Sequence, residues 1–200
     1  MPRRPDRQTC REIVRLLDGR SIVFVGIMGA GKTAIGRRLA DRLGLKFVDA
    51  DAEIETAANM TIAEMFEVHG EDYFREGERR VIARLMHDGS GVLSTGGGAF
   101  MNRETRERIK SDAISVWLFA DLSVLLERVR RRGHRPLLKA ADPEAVLADL
   151  LAERNPVYEE ADIAVESRNG PHDAVVDAVV RGLHAHLTSV KETGERRQAH

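Results

Sequence analysis

Short apolar runs alternate with amphipathic segments along most of the chain. The unbroken apolar run Ser21–Val25 is typical of a buried parallel strand. Further strands are predicted at residues 46–49, 91–94, 114–119 and 163–165. Between the strands, apolar residues recur at helical spacing, as they do over residues 35–43. This alternation predicts one α/β domain, with a five-stranded parallel sheet flanked by helices.

Polar segments indicate where this domain begins and ends. Residues 1–19 predict an N-terminal extension with one short helix. The domain is expected to span residues 20–187, where its last helix ends, and residues 188–200 are expected to form a disordered tail. Residues 50–88 show helical patterns only, so we interpret them as an insertion between the second and third strands.

A glycine-rich segment, residues 26–33 (GIMGAGKT), follows the first strand and leads into a helix. Glycine, four residues and then Gly-Lys-Thr is the pattern of a loop that wraps a nucleoside triphosphate. Its glycines let backbone amides approach the phosphate oxygens. Lys32 supplies a positive charge, and Thr33 places a hydroxyl where a phosphate-bound Mg²⁺ needs a ligand. The segment predicts a phosphoryl-transfer enzyme.

Composition narrows the class of partner and the compartment. The chain has 31 basic and 32 acidic residues, a net charge of -1, which gives no reason to expect nucleic acid as a partner. Its single cysteine, Cys10, fits a reducing compartment. No apolar run reaches the length of a membrane span or of a secretory signal. We expect a cytoplasmic monomer that contacts neither membrane nor nucleic acid.

Two acids close the second strand. They are Asp49 and Asp51, and the carboxylate of one can hold Mg²⁺ while the carboxylate of the other receives a proton or orients a hydroxyl. Aspartate is also a preferred helix cap, and Asp51 precedes a helical segment, so a purely structural role for Asp51 stays open.

Two arginines and a glycine run are ambiguous by themselves. Arg75 and Arg154 can bind a carboxylate through both arms of the guanidinium, or they can be solvated helical residues. Gly96, Gly97 and Gly98 bring bare backbone near a ligand, or they form a tight turn.

A basic segment follows the helix after the fourth strand. Residues 128–139 carry six Arg or Lys residues and no acid, and Gly133 and Pro136 interrupt regular structure. We interpret residues 130–142 as a basic lid loop.

Together, these motifs closely resemble shikimate kinase over residues 20–187. The resemblance rests on their order, which is GIMGAGKT, Asp49-Ala50-Asp51, Phe74-Arg75, Gly96-Gly97-Gly98, Arg135-Pro136-Leu137-Leu138 and Arg154-Asn155-Pro156-Val157-Tyr158. It implies a P-loop kinase fold and transfer of the ATP γ-phosphate to the 3-hydroxyl of shikimate, on the pathway to chorismate and the aromatic amino acids. Mg²⁺ is the expected cofactor, with Thr33 and Asp49 as its ligands.

The resemblance also implies a role for each matching residue. Lys32, Asp51 and Arg135 are implied to be catalytic, with Asp51 as the base. The ATP-binding residues are implied to be Gly29, Ala30, Gly31, Lys32, Thr33, Ala34, Arg128, Arg135 and Arg168. The shikimate-binding residues are implied to be Asp51, Arg75, Gly96, Gly97, Gly98 and Arg154, with the two arginines on the carboxylate.

Two positions depart from the family pattern. Ala34 stands where the family often has a second hydroxyl residue, so we expect one α-phosphate contact to be lost and the chemistry to survive. Arg168 is matched to an arginine that touches adenine in the family, although the spacing around it differs.

Other functions compete with this interpretation. A kinase for gluconate or for a nucleoside monophosphate would keep the phosphate loop and the basic lid but change the acceptor residues. A regulatory module that binds ATP without turnover would have no physical need of Lys32, Thr33, Asp51 and Arg135 together.

Replacing Arg135 tests the predicted lid. With ATP bound, its guanidinium can reach oxygens of the transferring phosphoryl group, where a lost donor typically costs about 10²- to 10³-fold in turnover. We expect Arg135→Ala to lower the turnover number by at least roughly 10²-fold, with little change in ATP affinity measured by calorimetry. Arg131→Ala is the control. Equally small effects of both variants would show that the segment only attracts phosphate.

Overall fold

The fold is that of a computed structural model, which describes residues 5–89, 91–131 and 142–198. Within these ranges the chain forms five strands and eight helices. The strands are β1 (Ser21–Val25), β2 (Lys46–Asp49), β3 (Gly91–Ser94), β4 (Ala113–Phe119) and β5 (Ile163–Glu166). The helices are α1 (Arg7–Leu17), α2 (Lys32–Leu43), α3 (Ala50–Ala58), α4 (Ile62–His87), α5 (Arg103–Asp112), α6 (Leu122–Arg131), α7 (Pro143–Tyr158) and α8 (His172–Gln198).

One parallel sheet organises the domain. Its strand order is β2-β3-β1-β4-β5, and every neighbouring pair is parallel. All five residues of the central strand β1 are buried, as its apolar run predicts. The five-stranded parallel sheet flanked by helices is thereby confirmed. Since parallel strands place their carboxyl ends at one edge, the loops after β1, β2 and β3 lie together there.

The insertion between β2 and β3 consists of α3 and α4. A capping box formed by Thr61 and Glu64 begins α4. Gly70 interrupts this helix with φ 81° and ψ 177°, a conformation that glycine adopts without strain. Ile54, Met65 and Phe74 form a small cluster of their own, apart from the main core, which Ile82 of α4 joins. The insertion therefore has a small core of its own and is also anchored in the main core.

Helix α1 is buried more deeply than we expect of an N-terminal extension. Asp6 caps it, and Ile13 and Leu17 are fully buried in the same core as the sheet. The helix contacts α8 and α2. Residues 7–17 are therefore an integral layer of the fold.

The last helix is longer than the sequence predicts. Helix α8 runs to Gln198, through the segment where we expected a disordered tail. Residues 188–198 contain no proline and one glycine, and most of the others are good helix formers, so the backbone continues the helix after its last buried residue, Leu187. None of the helices in the described ranges combines the length and the hydropathy that crossing a bilayer requires.

Helix α5 was not predicted. Asn102 caps it, but only Thr105 and Ile109 are buried, so its apolar repeat is too short to recognise in sequence. The predicted lid falls mostly outside the described residues, as does the whole Arg135-Pro136-Leu137-Leu138 segment.

Truncating Ile13 tests whether α1 belongs to the core. Ile13 has no exposed surface, so Ile13→Ala leaves a cavity and is expected to lower the free energy of unfolding by about 2–5 kcal/mol. Its neighbour Val14 is 36% exposed, and Val14→Ala is expected to cost about 0.5 kcal/mol. Urea denaturation of both variants measures the difference. Equal small losses would show that α1 is an appendage.

Candidate active site

The phosphate loop brings backbone amides and a buried cation together. Gly29 and Gly31 have φ of 86° and 99°, which other residues rarely adopt. Gly31 is the N-cap of α2 and provides no side chain to cap it, which suits a helix start that faces an anion. Lys32 is buried, and its Nζ donates to the carbonyls of Gly26 at 2.6 Å and Ile27 at 3.1 Å.

Three oxygen-bearing side chains meet at the start of α2. Thr33 Oγ1 donates to Asp49 Oδ2 at 2.8 Å and lies 3.3 Å from Ser94 Oγ. Asp49 and Ser94 are register partners at the ends of β2 and β3, which places both beside the phosphate loop. Hydroxyl and carboxylate oxygens are the donors that Mg²⁺ prefers, so this group fits a magnesium ion. Thr33 and Asp49 are the predicted ligands, and Ser94 is an addition from the structure.

Asp49, and not Asp51, caps helix α3. Asp49 Oδ1 accepts a hydrogen bond from the Asp51 amide at 3.2 Å. Asp51 lies in the first turn of the helix, so the structural alternative for Asp51, that it serves as the cap, is wrong. Its carboxylate is left for other contacts.

The carboxylates of Asp51 and of Glu78, a residue of α4, both lie against Gly96. A Cβ on Gly96 would lie 2.8 Å from Asp51 Oδ1 and 2.7 Å from Glu78 Oε1. Both oxygens are buried, and neither has a hydrogen-bond partner within the described part of the chain. Burial raises the pKa of Asp51, and the Asp49 charge raises it further. Burial also raises the pKa of Glu78, against the opposing effect of Arg75. Asp51 is therefore an open acceptor with an increased affinity for a proton.

Arg75 is held in place by two glutamates. Its Nη1 donates to Glu78 Oε2 at 2.8 Å, while Nε and Nη2 donate to Glu71 Oε1 at 3.1 Å and 3.0 Å. A Cβ on Gly98 would lie 2.5 Å from Nη1, so the guanidinium lies directly on glycine backbone. A solvated helical arginine can pair with glutamates at these spacings, but it would not also lie against Gly98 and pair with a buried carboxylate such as Glu78.

Arg154 and Tyr158 lie one turn apart on α7. Arg154 Nε is buried and has no hydrogen-bond partner among the described residues. The Tyr158 hydroxyl donates to the carbonyl of Gly97, and burial raises the pKa of Tyr158 to about 12. Tyr158 therefore contacts the glycine run from α7, with Arg154 one turn earlier on the same helix.

Two cavities adjoin across the phosphate loop and share Gly29 and Gly31 as lining residues. One, of about 350 Å³, contains Lys32, Thr33 and Asp51 together with Gly96 and Gly97. The other, of about 420 Å³, is lined by further residues that include Ala34, Arg128 and residues 167–170.

Arg128 connects the two walls of the larger cavity. Its Nη1 donates to Ser167 Oγ at 2.9 Å, and its Nη2 donates to the carbonyls of Ser167 at 3.1 Å and Arg168 at 2.8 Å. Nη1 also reaches the carbonyls of Gly29 and Ala30 at 3.4 Å. The arginine thus joins the phosphate loop to the loop after β5.

Comparison with known proteins identifies the family. The model of the shikimate kinase family matches residues 28–184. A shikimate kinase from Rhodopseudomonas palustris is 58% identical over 176 residues, 88% of this chain and 87% of the relative. One from Mesorhizobium japonicum is 48% identical over 193 residues, 96% and 95% of the two chains. The chain belongs to the shikimate kinase family. A solved shikimate kinase from Acinetobacter baumannii, in complex with shikimate, agrees with the fold at a TM-score of 0.79 and 38% identity, covering 84% of this chain and 95% of its own.

The structure brings most of the residues implied by the shikimate kinase resemblance to one edge of the sheet. Asp51, Arg75 and the glycine run meet there with the phosphate loop, and Arg154 approaches from α7. Ala34, Arg128 and Arg168 line the other cavity. Arg135 lies outside the described residues.

Four residues in this shikimate kinase site were given no role from sequence. Glu78 follows Arg75 by three positions and Tyr158 follows Arg154 by four, spacings at which helical side chains contact each other. Those spacings could have pointed to Glu78 and Tyr158. The sequence offers no comparable signal for Ser94 and Ser167, because serines are common at the ends of strands and in loops whether or not they bind a ligand.

An Asp51→Asn variant tests the burial of this carboxylate. Because the fold raises the pKa of Asp51, wild-type stability decreases as pH rises from about 3.9, the unfolded value, through the raised pKa. Asparagine carries no charge and escapes this loss. We expect the variant to melt a few degrees higher than wild type near neutral pH, with the difference shrinking as pH falls toward about 4. Melting followed by circular dichroism measures it. A difference independent of pH would contradict the assignment.

Proposed function

We propose that this protein transfers the γ-phosphoryl group of ATP to the 3-hydroxyl of shikimate, giving shikimate 3-phosphate and ADP. The observation that carries the proposal is the pair of cavities that share Gly29 and Gly31, one extending to Arg128 and the other containing Lys32, Thr33 and Asp51. Membership of the shikimate kinase family supports the choice of substrates. On this proposal the protein acts on the shikimate pathway to chorismate and the aromatic amino acids.

In this proposal the larger cavity takes the adenosine end of the nucleotide, and the phosphates follow the loop to Lys32 and Thr33, which line the smaller cavity. Loop amides from Gly29 to Thr33 receive the phosphates at the uncapped start of α2. Lys32 exchanges its loop carbonyl partners for β- and γ-phosphate oxygens, which carry full negative charge. Arg128 and Arg168 line the base-binding end. Ala34 provides no hydroxyl for the α-phosphate.

Thr33 and Asp49 would hold Mg²⁺, with Ser94 beside them. The 2.8 Å contact between Thr33 and Asp49 already groups the oxygens that such an ion prefers. When bound, the ion neutralises charge on the β- and γ-phosphates.

The smaller cavity takes shikimate, with its hydroxyls toward Asp51 and its carboxylate toward Arg75 and Arg154. Asp51 accepts the proton of the attacking 3-hydroxyl while that oxygen bonds to the γ-phosphorus and the bond to the ADP oxygen breaks. Its raised pKa suits it to this role, because a base works best when its pKa approaches the working pH. The open Nε of Arg154 is a free donor for the carboxylate.

The remaining assignments stay predictions. Arg135 is proposed to reach the transferring phosphoryl group and so to exclude water from it. A monomeric state and a cytoplasmic location are expected.

An acceptor panel tests the proposed function. We expect ADP release with shikimate, measured in a coupled assay, and little with gluconate or nucleoside monophosphates. We expect Lys32→Met to remain folded with little or no turnover, because its cation serves the β- and γ-phosphates. Arg38→Met, which removes an exposed cation from the same helix, is the matched control and should retain turnover. Turnover with gluconate but not with shikimate would show that the acceptor is gluconate. Normal turnover in Lys32→Met would overturn the kinase mechanism.

A further inference from the structure

Tyr158 occupies a fully enclosed position behind the acceptor cavity. It is the last residue of α7 and is 1% exposed. Its ring is roughly parallel to those of Trp117 and Phe100, at centroid distances of 6.1 Å and 6.4 Å. Packing alone explains a large apolar ring at this position. It does not explain the hydroxyl, since a buried polar group must be hydrogen-bonded to be tolerated.

The Tyr158 hydroxyl stands between Arg154 and the glycine run. It donates to the carbonyl of Gly97, and Arg154 lies one turn earlier on the same helix, near enough for its charge to oppose the rise in the pKa of Tyr158. Arginine has donors only, so the hydroxyl can meet Arg154 only through its lone pairs while its proton stays on Gly97. Burial, which raises the pKa of Tyr158 to about 12, keeps that proton in place. The hydroxyl is therefore oriented toward Gly97, with its lone pairs available to Arg154.

The residues on both sides of the hydroxyl reach ligand-binding elements. Arg154 keeps a buried Nε without a partner among the described residues, which leaves that donor for a ligand. On the other side, a Cβ on Gly97 would lie 3.3 Å from the amide nitrogen of Met28, so this glycine lies against the phosphate loop. The hydroxyl thus links an acceptor arginine to backbone that adjoins the nucleotide site.

We propose that Tyr158 is a positioning residue, whose hydroxyl holds Arg154 and the Gly97 carbonyl in the relative placement that the shikimate carboxylate requires. This proposal rests on the proposed function, because it assumes shikimate as the acceptor. Tyr158 does not touch the substrate and acts through Arg154. Losing its hydroxyl should therefore weaken the binding of shikimate and leave ATP unaffected.

A double-mutant cycle tests this role. Tyr158→Phe keeps the stacked ring and removes only the hydroxyl. In purified enzyme we expect it to raise KM for shikimate about tenfold, the effect of losing one hydrogen bond to a charged group, with KM for ATP changed by less than about twofold. In an Arg154→Ala background the same change should raise KM for shikimate by less than about twofold, since residues acting as one unit are not additive. Calorimetric titration of shikimate should give the same pattern.

Ile13→Val is the control for stability. It perturbs the core at α1, remote from both cavities, and should leave both KM values unchanged even where it lowers Tm as much as Tyr158→Phe does.

The outcomes separate the two proposals. Wild-type enzyme without turnover of shikimate overturns the proposed function and the role of Tyr158 with it. With an active wild type, an unchanged KM for shikimate in Tyr158→Phe overturns the positioning role alone. Effects of Tyr158→Phe and Arg154→Ala that add fully, or equal increases in KM for shikimate and ATP, would also overturn it, since they would show a merely structural residue.

Discussion

Charged side chains lie directly on bare backbone at the carboxyl edge of the sheet, and the site depends on this close approach. The carboxylates of Asp51 and Glu78 lie against Gly96, and the guanidinium of Arg75 lies against Gly98, at distances from a hypothetical Cβ that no real Cβ tolerates. Any side chain at either glycine would displace the groups that the acceptor needs. This arrangement leaves two buried carboxylate oxygens without hydrogen-bond partners in the described structure, which lowers the stability of the fold. A hydroxylated ligand would restore this free energy by donating hydrogen bonds to them.

Hydrogen bonds and ion pairs from several helices keep this edge in place. Arg106 of α5 donates to the carbonyl of Phe100 at 2.9 Å, in the turn after the glycine run, and pairs with Glu160 just beyond α7 at 3.4 Å. Tyr158 of α7 donates to the middle of the run, and Arg128 of α6 joins the phosphate loop to the loop after β5. The phosphate loop and the glycine run are therefore held by side chains from different helices.

The sequence predicts the strands, the phosphate loop and the acids after β2 because each is a local pattern: an apolar run, a glycine spacing or a strand end. It does not predict that Glu78 is buried beside Asp51, because a glutamate in a polar helix has no local sign of burial. Helix α5 is not predicted for a related reason, since only Thr105 and Ile109 are buried and two residues set no period. The end of α8 is not predicted because none of residues 188–192 is buried, so the apolar repeat stops at Leu187. The sequence alone does not decide whether Asp49 or Asp51 caps α3, because the two aspartates are only two positions apart. The backbone decides it, since Asp49 lies outside the helix.

We interpret the site as one in which the phosphoryl group passes directly from ATP to the acceptor hydroxyl, where the two cavities adjoin at Gly29 and Gly31. On this proposal Asp51 acts as a base and not as a nucleophile. The stereochemical course of transfer tests this most directly, using ATP whose γ-phosphoryl group is made chiral with oxygen isotopes. A single in-line transfer predicts inversion at phosphorus in shikimate 3-phosphate. Retention would require two displacements through a phosphorylated enzyme and would contradict the account.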